Sequence, residues 1–112
     1  VTEEMAMAKY LVQATYTAEG ARGLLKSGGT ARREAIERLL TSLGGKLEAF
    51  YFTFGNEDAI LIIDLPDHVA AMAVSMAVAA SGTIRSRSTV LITAEEADRA
   101  SKLEVHFHPP GE

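Results

Sequence analysis

The stretch from Lys46 to Pro66 constrains this chain more than any other. It runs Lys-Leu-Glu-Ala-Phe-Tyr-Phe-Thr-Phe, turns through Gly-Asn-Glu-Asp, and returns as Ala-Ile-Leu-Ile-Ile-Asp-Leu-Pro. Two aromatic or β-branched runs around a short Gly/Asn/Asp turn describe an antiparallel hairpin. Alternation places Phe50, Phe52 and Phe54 on one face of the first run, and Leu47, Ala49 and Tyr51 on the other. On the return run Ile60 and Ile62 face one way, and Ala59, Leu61, Ile63 and Leu65 the other. A strand that is apolar on both faces must be covered on both faces.

The flanking sequence supplies the covering elements. Lys9 to Tyr16 alternates, with Tyr10, Val12, Ala14 and Tyr16 on one side and Lys9, Leu11, Gln13 and Thr15 on the other, which is a strand pattern. Thr17 is placed to cap a short helix carrying Leu24 and Leu25, with Glu19 in its first turn; Gly28-Gly29 stops it. Thr30 is placed to cap a longer helix. Its apolar stripe is Ala35, Ile36, Leu39, Leu40 and Leu43, and Arg32, Arg33, Glu34, Glu37 and Arg38 occupy the rest. Gly44-Gly45 provides a left-handed stop. Past the hairpin, Asp67 caps a helix from His68 to about Ala80. That helix is apolar nearly all round, which predicts burial on more than one side. Ile84 to Ile92 reads as a fourth strand, with Ile84, Val90 and Ile92 on one face and Arg85, Arg87, Thr89 and Leu91 on the other. Thr93-Ala94-Glu95-Glu96 is a capping box opening a helix to about Lys102.

The order β-α-β-β-α-β plus a terminal helix is the ferredoxin-like α+β plan: an antiparallel sheet with helices on one face. One domain over residues 8–103 is expected, with residues 1–7 and 104–112 as flexible or partner-contacting termini. The other sheet face would expose large apolar residues of the central hairpin. Burying one Leu, Ile or Phe is worth roughly 1.5–3 kcal/mol, so that face predicts sheet-to-sheet association, most simply a two-fold homodimer.

Composition narrows the function classes. A net charge of −4 in 112 residues offers no basic footprint for nucleic acid. With no cysteine, disulfides, thiol nucleophiles and thiolate metal sites are excluded. The longest apolar stretch, Val69 to Ala80, is short of the about 20 residues of a membrane span. A cytoplasmic protein needing no cofactor is expected.

Several segments together resemble the GYD domain family of small bacterial and archaeal proteins. They are Lys9-Tyr10-Leu11-Val12, Tyr16-Thr17 with Glu19-Gly20, Gly28-Gly29-Thr30-Ala31-Arg32-Arg33, Leu43-Gly44-Gly45-Lys46-Leu47-Glu48, Phe50-Tyr51-Phe52 with Phe54-Gly55, and Arg85 to Thr89. The resemblance spans about Lys9 to Asp98. The family is named for a Gly, Tyr and Asp around the hairpin turn; Gly55 and Asp58 match, while Glu57 stands in the tyrosine's place. The resemblance implies the dimeric α/β-barrel type of ferredoxin-like fold. That superfamily also holds cofactor-free monooxygenases, isomerases and haem-degrading enzymes, although fold alone does not transfer chemistry.

Candidate site residues follow from the same alternation. Arg85 and Arg87, two apart on a strand, point to one side, and Gln13 and Thr15 lie on the polar side of the first strand, which should neighbour the fourth. Such a group suits a carboxylate or phosphate ligand. Edge protection, or salt bridges between subunits with residues such as Glu48, is the more ordinary explanation of the arginines. Glu57-Asp58 at the turn offers paired carboxylates or plain turn chemistry. Tyr16 and Tyr51 are hydrogen-bond donors near a pocket or in a core. His106 and His108 share one side of an extended tail, but no third metal ligand is near, and no metal site is expected. Gly28-Gly29-Thr30 lacks the Lys-Ser/Thr ending of a phosphate loop. These residues, with Arg85, Arg87, Gln13, Thr15, Tyr51 and Asp58 as ligand contacts, describe a small-molecule binding or sensing protein for an anionic or aromatic metabolite. Rival readings are a cofactor-independent enzyme or a structural assembly module.

Overall fold

The computed structural model describes residues 7–112. The frayed leader expected over residues 1–7 therefore falls almost entirely outside the described residues. The elements run β1 (Ala8–Tyr16), α1 (Ala18–Ser27), α2 (Gly29–Ser42), β2 (Lys46–Phe52), β3 (Ala59–Leu65), α3 (His68–Ser81), β4 (Ile84–Leu91) and α4 (Ala94–Ser101). The four strands form one antiparallel sheet in the order β2-β3-β1-β4, the ferredoxin-like arrangement. β2 and β4 are its edges.

Period-two alternation decides which side chains meet the helices. Tyr10 and Ala14 of β1 lie opposite Ile63 and Ala59 of β3, and all four are buried. Leu61 and Leu65 complete that face, and Leu40 of α2 closes over it. Ile36 and Leu43 pack beside Leu40, so the α2 stripe faces the sheet as its spacing requires. The opposite sheet face carries Leu11, Ile60, Ile62, Ala49 and Tyr51, bordered by Lys9, Gln13, Arg85 and Arg87.

Three expectations change. Leu47 was expected to share a face with Ala49 and Tyr51. Instead the pairing shifts between Leu47 and Ala49, and Leu47 stands opposite Ile63 on the helix side with Phe50 and Phe52. One extra residue in a strand reverses its parity from that point on. The residue spanned by the shift, Glu48, accepts a charged hydrogen bond from Lys9. Thr30 does not cap α2. Gly28, at φ 86°, separates α1 from α2 by itself, and its own carbonyl accepts the Arg32 N–H. A positive φ open to glycine lets the chain turn in one residue, ahead of the threonine. Finally, α3 has no buried residue. Ala70, Ala71 and Val74 meet the core, and the outer stripe is left uncovered by the described residues.

The remaining caps follow the sequence. Thr17 accepts from the Gly20 N–H, Asp67 from the Ala70 N–H, and Thr93 with Glu96 forms a complete capping box. Gly45 is required by packing: a Cβ there would lie 2.2 Å from the Asp64 carbonyl oxygen. Residues 103–112 form no strand.

Candidate functional site

On the open face the sheet brings part of the expected group together. Gln13 pairs with Arg87 and Thr15 with Arg85 across β1 and β4. Arg87 Nη2 donates to Gln13 Oε1 at 3.3 Å and to Glu57 Oε2 at 3.0 Å. Thr15 donates its hydroxyl to the Asn56 carbonyl at 3.4 Å. Arg85 forms no ion pair among the described residues. Tyr51 lies in the same cross-strand row as Ile60, Gln13 and Arg87, but on the opposite edge strand, about 14 Å from β4 at the usual strand spacing. Asp58 turns away from the row: its carboxylate accepts the Tyr16 N–H at 2.9 Å, while its own N–H donates to the Ala14 carbonyl at 2.8 Å. These bonds pin the turn onto β1. At the far end of the face Lys9 donates to Asp64 Oδ1 at 2.8 Å and to Glu48, and the two carboxylates hold the Lys9 ammonium above its ordinary pKa.

The helix side holds a different arrangement. A cavity of about 260 Å³ opens between the sheet, α2 and α3. Leu40, Phe50, Leu61 and Ile63 supply apolar wall, and Met72 and Val78 of α3 line the other side. Its polar groups are Tyr10, Tyr16, Arg32, His68 and the hydroxyls of Ser75, Ser86 and Ser88. Among the described residues no carboxylate lines it.

Each polar group has a structural cause. Tyr10 shares the inward parity of β1 with Val12 and Ala14 and is only 5% exposed. Its hydroxyl lies 2.8 Å from His68 Nδ1, and the rings meet edge to face. His68 is delivered there because Asp67 caps α3 one residue earlier. Burial, and secondarily the Asp67 charge, pushes the Tyr10 hydroxyl above its usual pKa, so it stays protonated near neutrality. Burial also raises Tyr16, against the pull of the neighbouring Arg32 guanidinium.

The sequence names Tyr16 and sets Arg32 beside the Gly28-Gly29-Thr30 loop as an anion candidate that a helix kink explains better, while Tyr10 is not among its site candidates and His68 enters only in passing. The signal for Arg32 was its spacing: it stands four residues before Ile36 and eight before Leu40, on the stripe rather than off it. His106 approaches Glu104 at 3.6 Å in the tail, and among the described residues no three His, Cys, Asp or Glu side chains gather as a metal site. No helix among them is long and apolar enough to cross a membrane.

No curated protein matches the chain. The sequence model of the GYD domain matches residues 10–101. That span holds the whole sheet apart from the first two residues of β1, together with all four helices, and the chain belongs to the GYD domain family.

Proposed function

We propose that this protein binds or senses a small organic anion with an aromatic or aliphatic body, held in the cavity between helices and sheet. One observation carries the reading: an apolar cavity whose polar lining includes an arginine and a histidine and no carboxylate. An apolar cavity of roughly 150 Å³ holds a benzene ring, so about 260 Å³ suits a body of one or two fused rings. Arg32 would take the acid group, with the Tyr16 hydroxyl beside it, since a guanidinium pairs with a carboxylate through two parallel hydrogen bonds. The open-face arginines are the competing seat, although Arg87 is already engaged by Glu57 and Gln13.

The protein is proposed to act as a homodimer joined through the open sheet face. Support comes from the row of Leu11, Ile60, Ile62 and Tyr51 on that face, bordered by charged and polar groups in the manner of an interface core and rim.

A panel of aromatic and short aliphatic carboxylates, tested by thermal shift and titration calorimetry, examines the reading. Binding is expected to survive R85A/R87A and to weaken at least about tenfold in R32A. Loss in R85A/R87A with retention in R32A would move the site to the open face. Binding of none of the panel would refute the ligand class. A second reading has its own support, the Tyr10–His68 hydrogen bond inside the cavity. A hydroxyl and an imidazole so paired could pass a proton to a bound molecule, which is what a cofactor-independent isomerase requires. Turnover of a bound acid that disappears in H68Q, with affinity preserved, would establish that class.

A further inference from the structure

The C-terminal segment leaves the body of its own chain. Among the described residues, α4 and residues 102–112 contribute nothing to the core, and their hydrogen bonds and ion pairs stay within the segment or at its own cap. The consequence is visible in the overall shape. The radius of gyration is 17.2 Å, against about 13 Å for a compact domain of this length, and the longest dimension is 58 Å. Yet the segment is not a polar tail. Leu103, Val105 and Phe107 are 71%, 75% and 72% exposed, and they alternate, so an extended chain presents all three on one side.

The same chain carries an uncovered surface of matching character. On α3, Val69, Met72 and Met76 are 78%, 59% and 63% exposed. Their spacing of three and four places them in one stripe, and alanines surround it. Within α3, the polar residues beside the stripe are Ser75 and His68. An apolar row without cover and an apolar arm without a seat, both built into one sequence, are what a reciprocal exchange leaves behind in a single copy. Residues 103–112 extended reach about 33 Å, and the 14-residue α3 is about 21 Å long, so the arm spans the stripe.

We propose that the arm of one copy docks along α3 of a second copy, with Leu103, Val105 and Phe107 seated against Val69, Met72 and Met76, and that the exchange is mutual about a two-fold axis. Met72 belongs to the stripe and also lines the cavity, so the visiting arm flanks the site from outside. The inference does not depend on which ligand the cavity takes, nor on the open-face dimer.

A chain without cysteine makes the test direct. V105C and M72C, each an exposed position, are made in separately tagged full-length chains, and native circular dichroism and Tm are checked first. The two chains are co-expressed, oxidised mildly and run on non-reducing gels. The expected result is a mixed covalent dimer that forms at least tenfold faster than the links each variant makes with itself, and that is suppressed when F107S accompanies V105C. A mixed link no faster than the self-links overturns the proposal. So does an internal link in the M72C/V105C double variant that leaves the product monomeric, since the arm would then fold back on its own helix.

Discussion

Arg32 occupies a place on the α2 stripe where an aliphatic side chain would ordinarily sit. Its cost is a partly desolvated charge with no ion-pair partner among the described residues, and the use proposed for it is an anion site in an apolar wall. Hydrogen bonds to charged groups contribute about 1.5–3 kcal/mol, so R32A should weaken carboxylate binding about tenfold to a hundredfold, measured by calorimetry. R32A should at the same time leave Tm unchanged or raised, because no native ion pair among the described residues is lost. Lys9 and Tyr10 make a separate prediction in pH. Two carboxylates raise Lys9 above 10.5, and burial raises Tyr10 above 10.0. For both groups the folded state holds its proton more tightly than the unfolded chain. Their contribution is complete below the unfolded values and is lost as pH rises through the folded ones. Tm should therefore fall as pH rises past about 10, and K9M should flatten that fall while lowering Tm at neutral pH. Arg32 and His68 illustrate why single residues were hard to read in advance. Alternation and helical spacing say which side a residue is on, but the identity of its neighbours across the cavity requires the crossover connections to be closed.

At the scale of the element, short-range chemistry governs the ends. Thr93 and Glu96 cap each other across one turn, and the bonds Glu96 makes with Thr93 lower its carboxyl below 4.5. That contribution is present above pH 4.5 and lost as pH falls through the lowered value. α4 packs little against the body, so the loss should be local: the protection of α4 amides, taken relative to the intrinsic exchange rate at each pH, should be lower at pH 3 than at pH 6, and E96Q should remove that difference, while the protection of the sheet amides is unaffected. The glycine pair after α2 is a contrast, because its second member answers to packing rather than to capping. G45A would drive a methyl into the Asp64 carbonyl and Leu65 and should cost about 1–3 kcal/mol in denaturant unfolding. The hairpin shows where local reading stops. Its two strands and turn are legible in Lys46–Pro66, although β2 ends at Phe52 and leaves Phe54 in the exposed turn, and the face assignment of β3 holds throughout. β2 does not keep one parity, because the irregularity at Glu48 is set by cross-strand pairing with β3 and by the charge of Lys9, neither of which belongs to the strand itself.

For the whole molecule, the sheet has one face packed by α2 and α3 and one face left uncovered by the described residues. Leu11 and Ile62 stand opposite each other at the middle of the free face. If copies join through it, L11K/I62K placed in a chain that also carries the arm-silencing F107S should give a folded monomer by light scattering, with far-UV circular dichroism retained. A wild-type chain that scatters as a monomer at micromolar concentration would exclude that association. The cavity residues should be unaffected by this double substitution, so ligand binding that persists in the monomer would place the site within one chain.

Periodicity, caps and breakers determined the elements, their order and the ferredoxin-like plan, because each depends on residues within one or two turns of one another. They also determined that β1 and β4 would be neighbours with Gln13 and Thr15 facing the arginines. Only the tertiary structure decided that Glu57 binds Arg87, that Asp58 holds the backbone of Tyr16, and that Tyr10, His68 and Arg32 share one cavity. Those meetings join residues 22 to 58 positions apart in the chain. Their geometry is set by the angle at which helices cross the sheet, a property of packed layers that no local pattern encodes.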